Sequence, residues 1–170
     1  MNKLIQTLQK PRYLAIAIAL ASAIIVGAAL VSQYGFGLKP CILCLYQRVP
    51  YYINIALGLA AFVASFRYPR LVKLLIALAA VSFLTDAAIA GFHVGVEQKW
   101  WPGLSSCGGD IVPKGASIEE LRNAMEHQAI VRCDEPAWVM FGISMAGYNF
   151  LISLALVFGV TFLLRKKHAT

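Results

Sequence analysis

The residues of this 170-residue chain best suited to chemistry are its four cysteines, Cys41, Cys44, Cys107 and Cys133. Cys41 and Cys44 form a Cys-x-x-Cys pair, which supports three kinds of chemistry. As a structural staple it does little, because closing so short a loop removes little entropy from the unfolded chain. As half of a zinc site it needs a second pair at knuckle spacing, and Cys107 and Cys133 do not provide one. As a redox centre it needs one thiol made acidic by its surroundings. The spacing favours this third reading. Four cysteines are also too few for a disulfide scaffold of this length.

The elements that position these cysteines are apolar. Of the residues, 59% are hydrophobic and only 14% are charged, against about 45–50% and about 25% in soluble domains. That balance excludes a soluble enzyme, a disordered chain and a secreted disulfide mini-protein. A helix crosses about 30 Å of hydrocarbon with about 20 apolar residues. Four segments qualify, at about residues 13–31, 49–66, 74–90 and 138–164. Backbone groups left unpaired in lipid are too costly for open strands, so these segments are expected to be helices. The expected fold class is an all-α membrane protein, a single domain built as a four-helix transmembrane bundle.

Charge placement gives the expected orientation. The N-terminus (Lys3, Lys10, Arg12), the turn after the second span (Arg67, Arg70, Lys73) and the tail (Arg165, Lys166, Lys167) hold nine basic residues and no acid. The loop at about 91–137 holds four bases and seven acids. By the positive-inside rule the basic face is cytoplasmic, so both termini lie inside. The net charge of +7 then records topology and does not indicate nucleic acid. Ala21-Ser22-Ala23 would suit a signal-peptide cleavage site, but the apolar run continues to Val31, which fits a retained span. All four cysteines fall in the outer loops, at about 32–48 and 91–137. Outside a bacterial inner membrane thiols can stay oxidised.

The local sequence around the first pair is Lys39-Pro40-Cys41-Ile42-Leu43-Cys44-Leu45-Tyr46-Gln47-Arg48-Val49-Pro50. Pro40 suits a helix start, so the second helix is expected to begin near Cys41. A cysteine in a first turn feels free N–H groups and the positive end of the helix dipole, which favour the thiolate. Cys41, Cys44 and Arg48 stand at i, i+3 and i+7, a spacing that predicts one shared stripe. Arg48 is either an interfacial anchor or a donor to an oxygen-bearing electron acceptor. Pro50 is expected to kink the helix or free a carbonyl. Oxidising a dithiol releases two electrons and two protons. The chain carries no haem, Rossmann or iron–sulfur motif, so elimination points to a lipid-soluble carrier, a quinone.

These residues resemble the bacterial disulfide bond formation protein B (DsbB) family. The likeness rests on four spans, on Pro40-Cys41-x-x-Cys44-x-Tyr46-x-Arg48 at the head of the second, and on Cys107 and Cys133 in a long second outer loop. His93 and Trp138 also fit. The resemblance implies a protein-dithiol:quinone oxidoreductase of the bacterial inner membrane, with its cysteines facing the periplasm. A reduced DsbA-like thioredoxin-fold oxidase would attack Cys107 of a Cys107–Cys133 disulfide. Electrons would pass to Cys41–Cys44, and Cys44 would hand them to ubiquinone (or menaquinone) near Arg48. The implied pairing is Cys41–Cys44 with Cys107–Cys133, with Cys41–Cys107 forming transiently. No metal is implied. Gln47 stands where an acid occurs in the best-known member, and no role is assigned to it.

Other residues keep two readings. His93 is either a satisfied interfacial histidine or part of the quinone and proton path. Asp86 is an intramembrane acid, a functional candidate by default, though close to the interface. Trp100, Trp101 and Trp138 suit either an interfacial belt or direct contact with the quinone or the partner. Ser117-Ile118-Glu119-Glu120 reads as a capping box, with Ile118, Leu121 and Met125 on one face of a short helix, solvated or interfacial. Two other functions stand beside the main one. They are a paralogue serving one dedicated dithiol partner and a non-enzymatic scaffold with structural disulfides. A vitamin K epoxide reductase-like enzyme fits less well, since that group places its Cys-x-x-Cys in the last span.

Overall fold

The computed structural model describes residues 10–104 and 131–166. Four helices make up most of them: α1 (Pro11–Tyr34), α2 (Ile42–Ala64), α3 (Pro69–Glu97) and α4 (Met145–Lys166), with a small hairpin of β1 (Val139–Met140) and β2 (Ile143–Ser144) ahead of α4. Prolines start α1 and α3 at their first turns, where the missing N–H is no loss. Cys107 and the capping box at 117–120 lie outside the described residues.

Three of these helices are long and apolar enough to cross a membrane: α1, α3 and residues Met145–Arg165 of α4. The first half of α2 carries Gln47, Arg48, Tyr51 and Asn54, and Gln47, Tyr51 and Asn54 are buried. The segments expected at 49–66 and 74–90 are the cores of longer helices, Ile42–Ala64 and Pro69–Glu97. The helix expected from residue 138 begins later. Phe141 and Gly142 have positive φ, +50° and +78°, and pair Val139 with Ser144 and Met140 with Ile143. Two consecutive positive φ values make the tight turn whose twist suits a hairpin.

Successive helices are antiparallel. Gly58, late in α2, lies against Ala15 and Ala19, early in α1. The Ser82 hydroxyl of α3 donates to the Pro50 carbonyl of α2 at 3.1 Å, so α2 runs on through Pro50 while that carbonyl ties it to α3. Gly91 of α3 lies under the Phe150 ring of α4. One end of the assembly therefore collects Lys10, Arg12, Arg67, Arg70, Lys73 and Arg165, and the other collects Gln33, Cys41, His93, Glu97 and Cys133. Between the ends a core of Leu14, Ile18, Tyr51, Val72, Ile76 and Phe83 is fully packed, with Tyr51 and Phe83 edge-to-face at 6.0 Å.

The α1–α2 crossing depends on Gly58. A Cβ there would lie 2.8 Å from the Ala15 carbonyl oxygen and 2.9 Å from the Ala19 Cβ. Gly159 has nothing within 4 Å of its notional Cβ. Gly58→Leu is expected to cost about 1–3 kcal/mol of stability, the usual range for overpacking. A lowered unfolding midpoint in detergent checks this, with Gly159→Leu as the unaffected comparison.

Candidate functional site

Cys41 is the N-cap of α2. Its backbone is extended (φ −75°, ψ 172°), and its side chain accepts from the Cys44 N–H at 3.3 Å. This is the ordinary capping bond with sulfur in place of oxygen. The Cys44 sulfur lies 3.0 Å from Cys41 Sγ. On the other side His93 Nε2, reaching across from α3, lies 3.6 Å from the same sulfur. Three donors thus converge on one buried atom. They hold the Cys41 thiol down to about 4 from an ordinary 9.0, the Cys44 hydrogen bond most strongly, with burial opposing and His93 assisting. Cys44 is pushed up, because it keeps the shared proton and is itself desolvated. The first pair is therefore a thiolate and a thiol. Both are free, where a Cys41–Cys44 disulfide was expected.

Cys133 is fully buried and shares a cluster with Cys41, Leu43 and Val96. It is disulfide-bonded, and neither Cys41 nor Cys44 is its partner, since both are free. Its carbonyl faces His93 Nε2 at 3.2 Å. The turn around it is fastened by Arg132, which donates to the Asp134 carboxylate at 2.9 and 2.7 Å. The disulfide-bonded residue therefore packs on the free dithiol. Cys41 Sγ, Cys44 Sγ and His93 lie within 4.8 Å of one another, a donor set of the kind soft metals use. The sulfurs are in hydrogen-bond contact at 3.0 Å, closer than two ligands on a tetrahedral ion with bonds of about 2.3 Å. An ion would have to spread them.

The predicted stripe splits at the helix start. Cys44 and Arg48 line one cavity of ≈ 360 Å³ between α1, α2 and α4, together with Gln47, Tyr51, Ser32 and Asn149. Cys41 does not. As an N-cap it has left the helical progression of side chains, and it turns toward α3. Arg48 is half-buried and points inward, donating to Gln33 Oε1 at 2.6 Å and to the Ala29 carbonyl at 3.5 Å. Those bonds fix it to α1 and make it part of the cavity wall rather than an outward anchor. A larger groove of ≈ 930 Å³ lies between α2 and α3, lined by Tyr46, Val49, Ile53, Leu78 and Phe92. Neither a cysteine nor a charged side chain lines it.

His93 lies on the sulfur side, not in the Arg48 cavity. It is buried and takes a 2.8 Å contact from Gln47 Nε2 on Nδ1. Glu97, one turn on, lies 3.8 Å from Nε2 and accepts from the Ser144 hydroxyl. Gln47 was given no role from sequence, yet it bridges His93 to Asn149 of α4, which donates to Gln47 Oε1 at 2.8 Å. Its signal was a polar series at 44, 47, 51 and 54, a core-facing stripe at helical spacing. Asp86 is fully buried and accepts from Ser153 at 2.5 Å and Asn149 at 3.0 Å. Trp101 packs on Gly95, and its indole donates to the Phe92 carbonyl at 3.0 Å. Trp138 leans on Tyr148, ring centres 6.1 Å apart.

The arrangement has the parts for thiol–disulfide exchange: a stabilised thiolate, a proton-bearing second thiol and a neighbouring disulfide-bonded cysteine. Comparison with known proteins agrees. The family described as "Disulfide bond formation protein DsbB" matches residues 11–163. An uncharacterized protein of Rickettsia prowazekii (strain Madrid E) is 30% identical over 160 residues, covering 92% of this chain and 91% of that protein. Disulfide bond formation protein B of Stutzerimonas stutzeri (strain A1501) is 32% identical over 163 residues, covering 88% and 93%. The protein of the same name from Aromatoleum aromaticum (strain DSM 19018 / LMG 30748 / EbN1) is 32% identical over 152 residues, covering 84% and 86%. With the match running nearly end to end, this chain belongs to the DsbB family of disulfide bond formation proteins.

Proposed function

We infer that this chain reoxidises a periplasmic DsbA-like dithiol oxidase by thiol–disulfide exchange and delivers the electrons to membrane ubiquinone. It would do so as a four-span inner-membrane protein with both termini cytoplasmic and its cysteines facing the periplasm. The observation that carries this reading is the division at the head of α2. Cys41, as a thiolate, faces the Cys133 side, while Cys44 faces the Arg48 cavity.

On this reading a reduced partner attacks the disulfide of Cys107 and Cys133. The partner's second thiol then closes the partner's own disulfide, leaving Cys107 and Cys133 as thiols. Cys107 attacks Cys41 of a Cys41–Cys44 disulfide with Cys44 as leaving group, and Cys133 closes on Cys107 to free Cys41. Breaking the Cys41–Cys44 bond moves the electron pair to Cys44, so Cys44 carries the charge on the cavity side. The Arg48 guanidinium stands beside it as a fixed positive charge. A guanidinium has five N–H donors, and Gln33 and Ala29 engage two of them. The cavity suits a quinone: Ile24, Ile25, Val26 and Ile152 give apolar walls, and Arg48, Tyr51 and Asn149 offer polar groups for ring oxygens. When bound, a quinone supplies a two-electron, two-proton sink. His93, with Nε2 at 3.6 Å from Cys41, is positioned to hold or pass a proton at that sulfur.

Turnover can be followed as quinone reduction, using a reduced thioredoxin-fold partner and a soluble ubiquinone analogue. Cys41→Ser, Cys44→Ser, Cys107→Ser and Cys133→Ser are each expected to abolish it. Full activity of Cys44→Ser would sink the reading. Arg48→Ala is expected to raise the apparent KM for quinone roughly tenfold, the scale of one lost charge-assisted hydrogen bond, with kcat less affected. An unchanged quinone dependence removes Arg48 from the site. A panel of reduced partners separates a general oxidase from one dedicated to a single client. Because the Cys41 thiol is lowered to about 4, its thiolate persists at every pH above that value and is lost as pH falls through it. Alkylation of Cys41 in the reduced protein is therefore expected to stay level from pH 8 to about pH 5, whereas an ordinary thiol slows about tenfold per unit over that range.

A further inference from the structure

A polar chain runs from the middle of α3 to the reactive sulfur, and its direction is set at its far end. Asp86 Oδ2 is an acceptor buried among α2, α3 and α4. It takes an N–H from Asn149 at 3.0 Å and the Ser153 hydroxyl at 2.5 Å. The Asn149 amide is thereby turned nitrogen-first toward α3, and its oxygen accepts from the Tyr51 hydroxyl at 2.6 Å. The second N–H of the same nitrogen goes to Gln47 Oε1 at 2.8 Å. With its oxygen so engaged, Gln47 offers only its nitrogen to His93 Nδ1, at 2.8 Å. An amide nitrogen donates and does not accept, so Nδ1 must present its lone pair. The proton of a neutral imidazole then sits on Nε2, the atom that faces Cys41 Sγ at 3.6 Å and the Cys133 carbonyl at 3.2 Å. Were either amide reversed, Nδ1 would hold the proton and Nε2 would turn a lone pair on the thiolate.

We propose that Asp86 is a positioning residue that holds the His93 proton on Nε2, against the Cys41 sulfur, by orienting the amides of Asn149 and Gln47. Asp86 touches neither sulfur nor acceptor and acts only through the two amides. The carboxylate oxygen fixes the direction because it accepts in this contact, which neither amide can guarantee alone. The proposal rests on the reading of Cys41 as the reactive thiol. Among the described residues, the titratable groups that face Cys41 are Cys44 on its own helix and His93 and Glu97 on α3.

The test uses the full chain, reduced, in detergent, with neither partner nor quinone. Nitrogen-15 NMR of labelled histidine reads the His93 tautomer, assigned by comparison with His93→Gln. The wild type is expected to carry the proton on Nε2. Asp86→Asn, which can present a donor to Asn149, is expected to populate the Nδ1 form. The spectra are taken at alkaline pH, where the imidazole is neutral and its single proton has a defined position. Asn149→Ala breaks the relay without altering the carboxyl group and carries the same expectation if Asp86→Asn does not fold. Ser82→Ala removes the α3 hydroxyl that donates to the Pro50 carbonyl, outside the relay, and is expected to keep the Nε2 tautomer. The proposal is overturned if Asp86→Asn or Asn149→Ala keeps the Nε2 tautomer, or if Ser82→Ala shifts it as strongly. Failure of quinone reduction would strike the proposed function and leave these readouts as they are.

Discussion

The convergence of donors on the Cys41 sulfur is the interaction on which the rest of the site depends. A thiolate in a buried setting is unfavourable unless hydrogen bonds replace the water it has lost. Here the start of α2 provides one backbone N–H, Cys44 a thiol proton and α3 an imidazole. Each comes from a different structural commitment. The N–H requires that the helix begin at Ile42. The thiol requires the Cys-x-x-Cys spacing. The imidazole requires α3 to extend past the hydrocarbon-length segment, as far as His93 and on to Glu97.

Those commitments extend into the middle of the helices. His93 is oriented by Gln47, Gln47 by Asn149, and Asn149 by Asp86 and Tyr51, so polar side chains from α2, α3 and α4 meet in a region that is otherwise apolar. Buried polar groups are costly when half satisfied and specifying when fully satisfied. In this network each amide uses both its oxygen and its nitrogen, while Asp86 Oδ1 has no hydrogen bond among the described residues. The same bonds hold three helices in register, so the geometry around the Cys41 sulfur and the helix packing are one set of contacts.

Much of this was legible in the sequence. Four apolar segments gave the four helices, and Pro40-Cys41-x-x-Cys44 gave the start of α2, because periodicity and local capping chemistry are written in neighbouring residues. Three things were not legible. The i, i+3, i+7 spacing put Cys41 beside Arg48, but an N-cap residue is outside the helical progression, so the two face different neighbours. Gln47 and Asn149 are ordinary polar residues until the antiparallel packing of α2 against α3 and α4 joins them, and no local spacing encodes a contact between distant helices. The hairpin at 139–144 was hidden inside an apolar run, because Phe141 and Gly142 stop a helix through backbone conformation rather than polarity.

The antiparallel helices bring both sulfurs of the first pair, the imidazole and the guanidinium to a single end of the molecule. In the proposed reaction, electrons then travel sideways between a watery donor and a lipid-dissolved acceptor, and never along the thickness of the bilayer. Moving a charge across a membrane is worth about 2.3 kcal/mol per 100 mV. A site arranged this way takes neither benefit nor penalty from that voltage. Its driving force is set by the difference in redox potential between thiol and acceptor alone, which lets the same fold work in an energised cell and in a depolarised one.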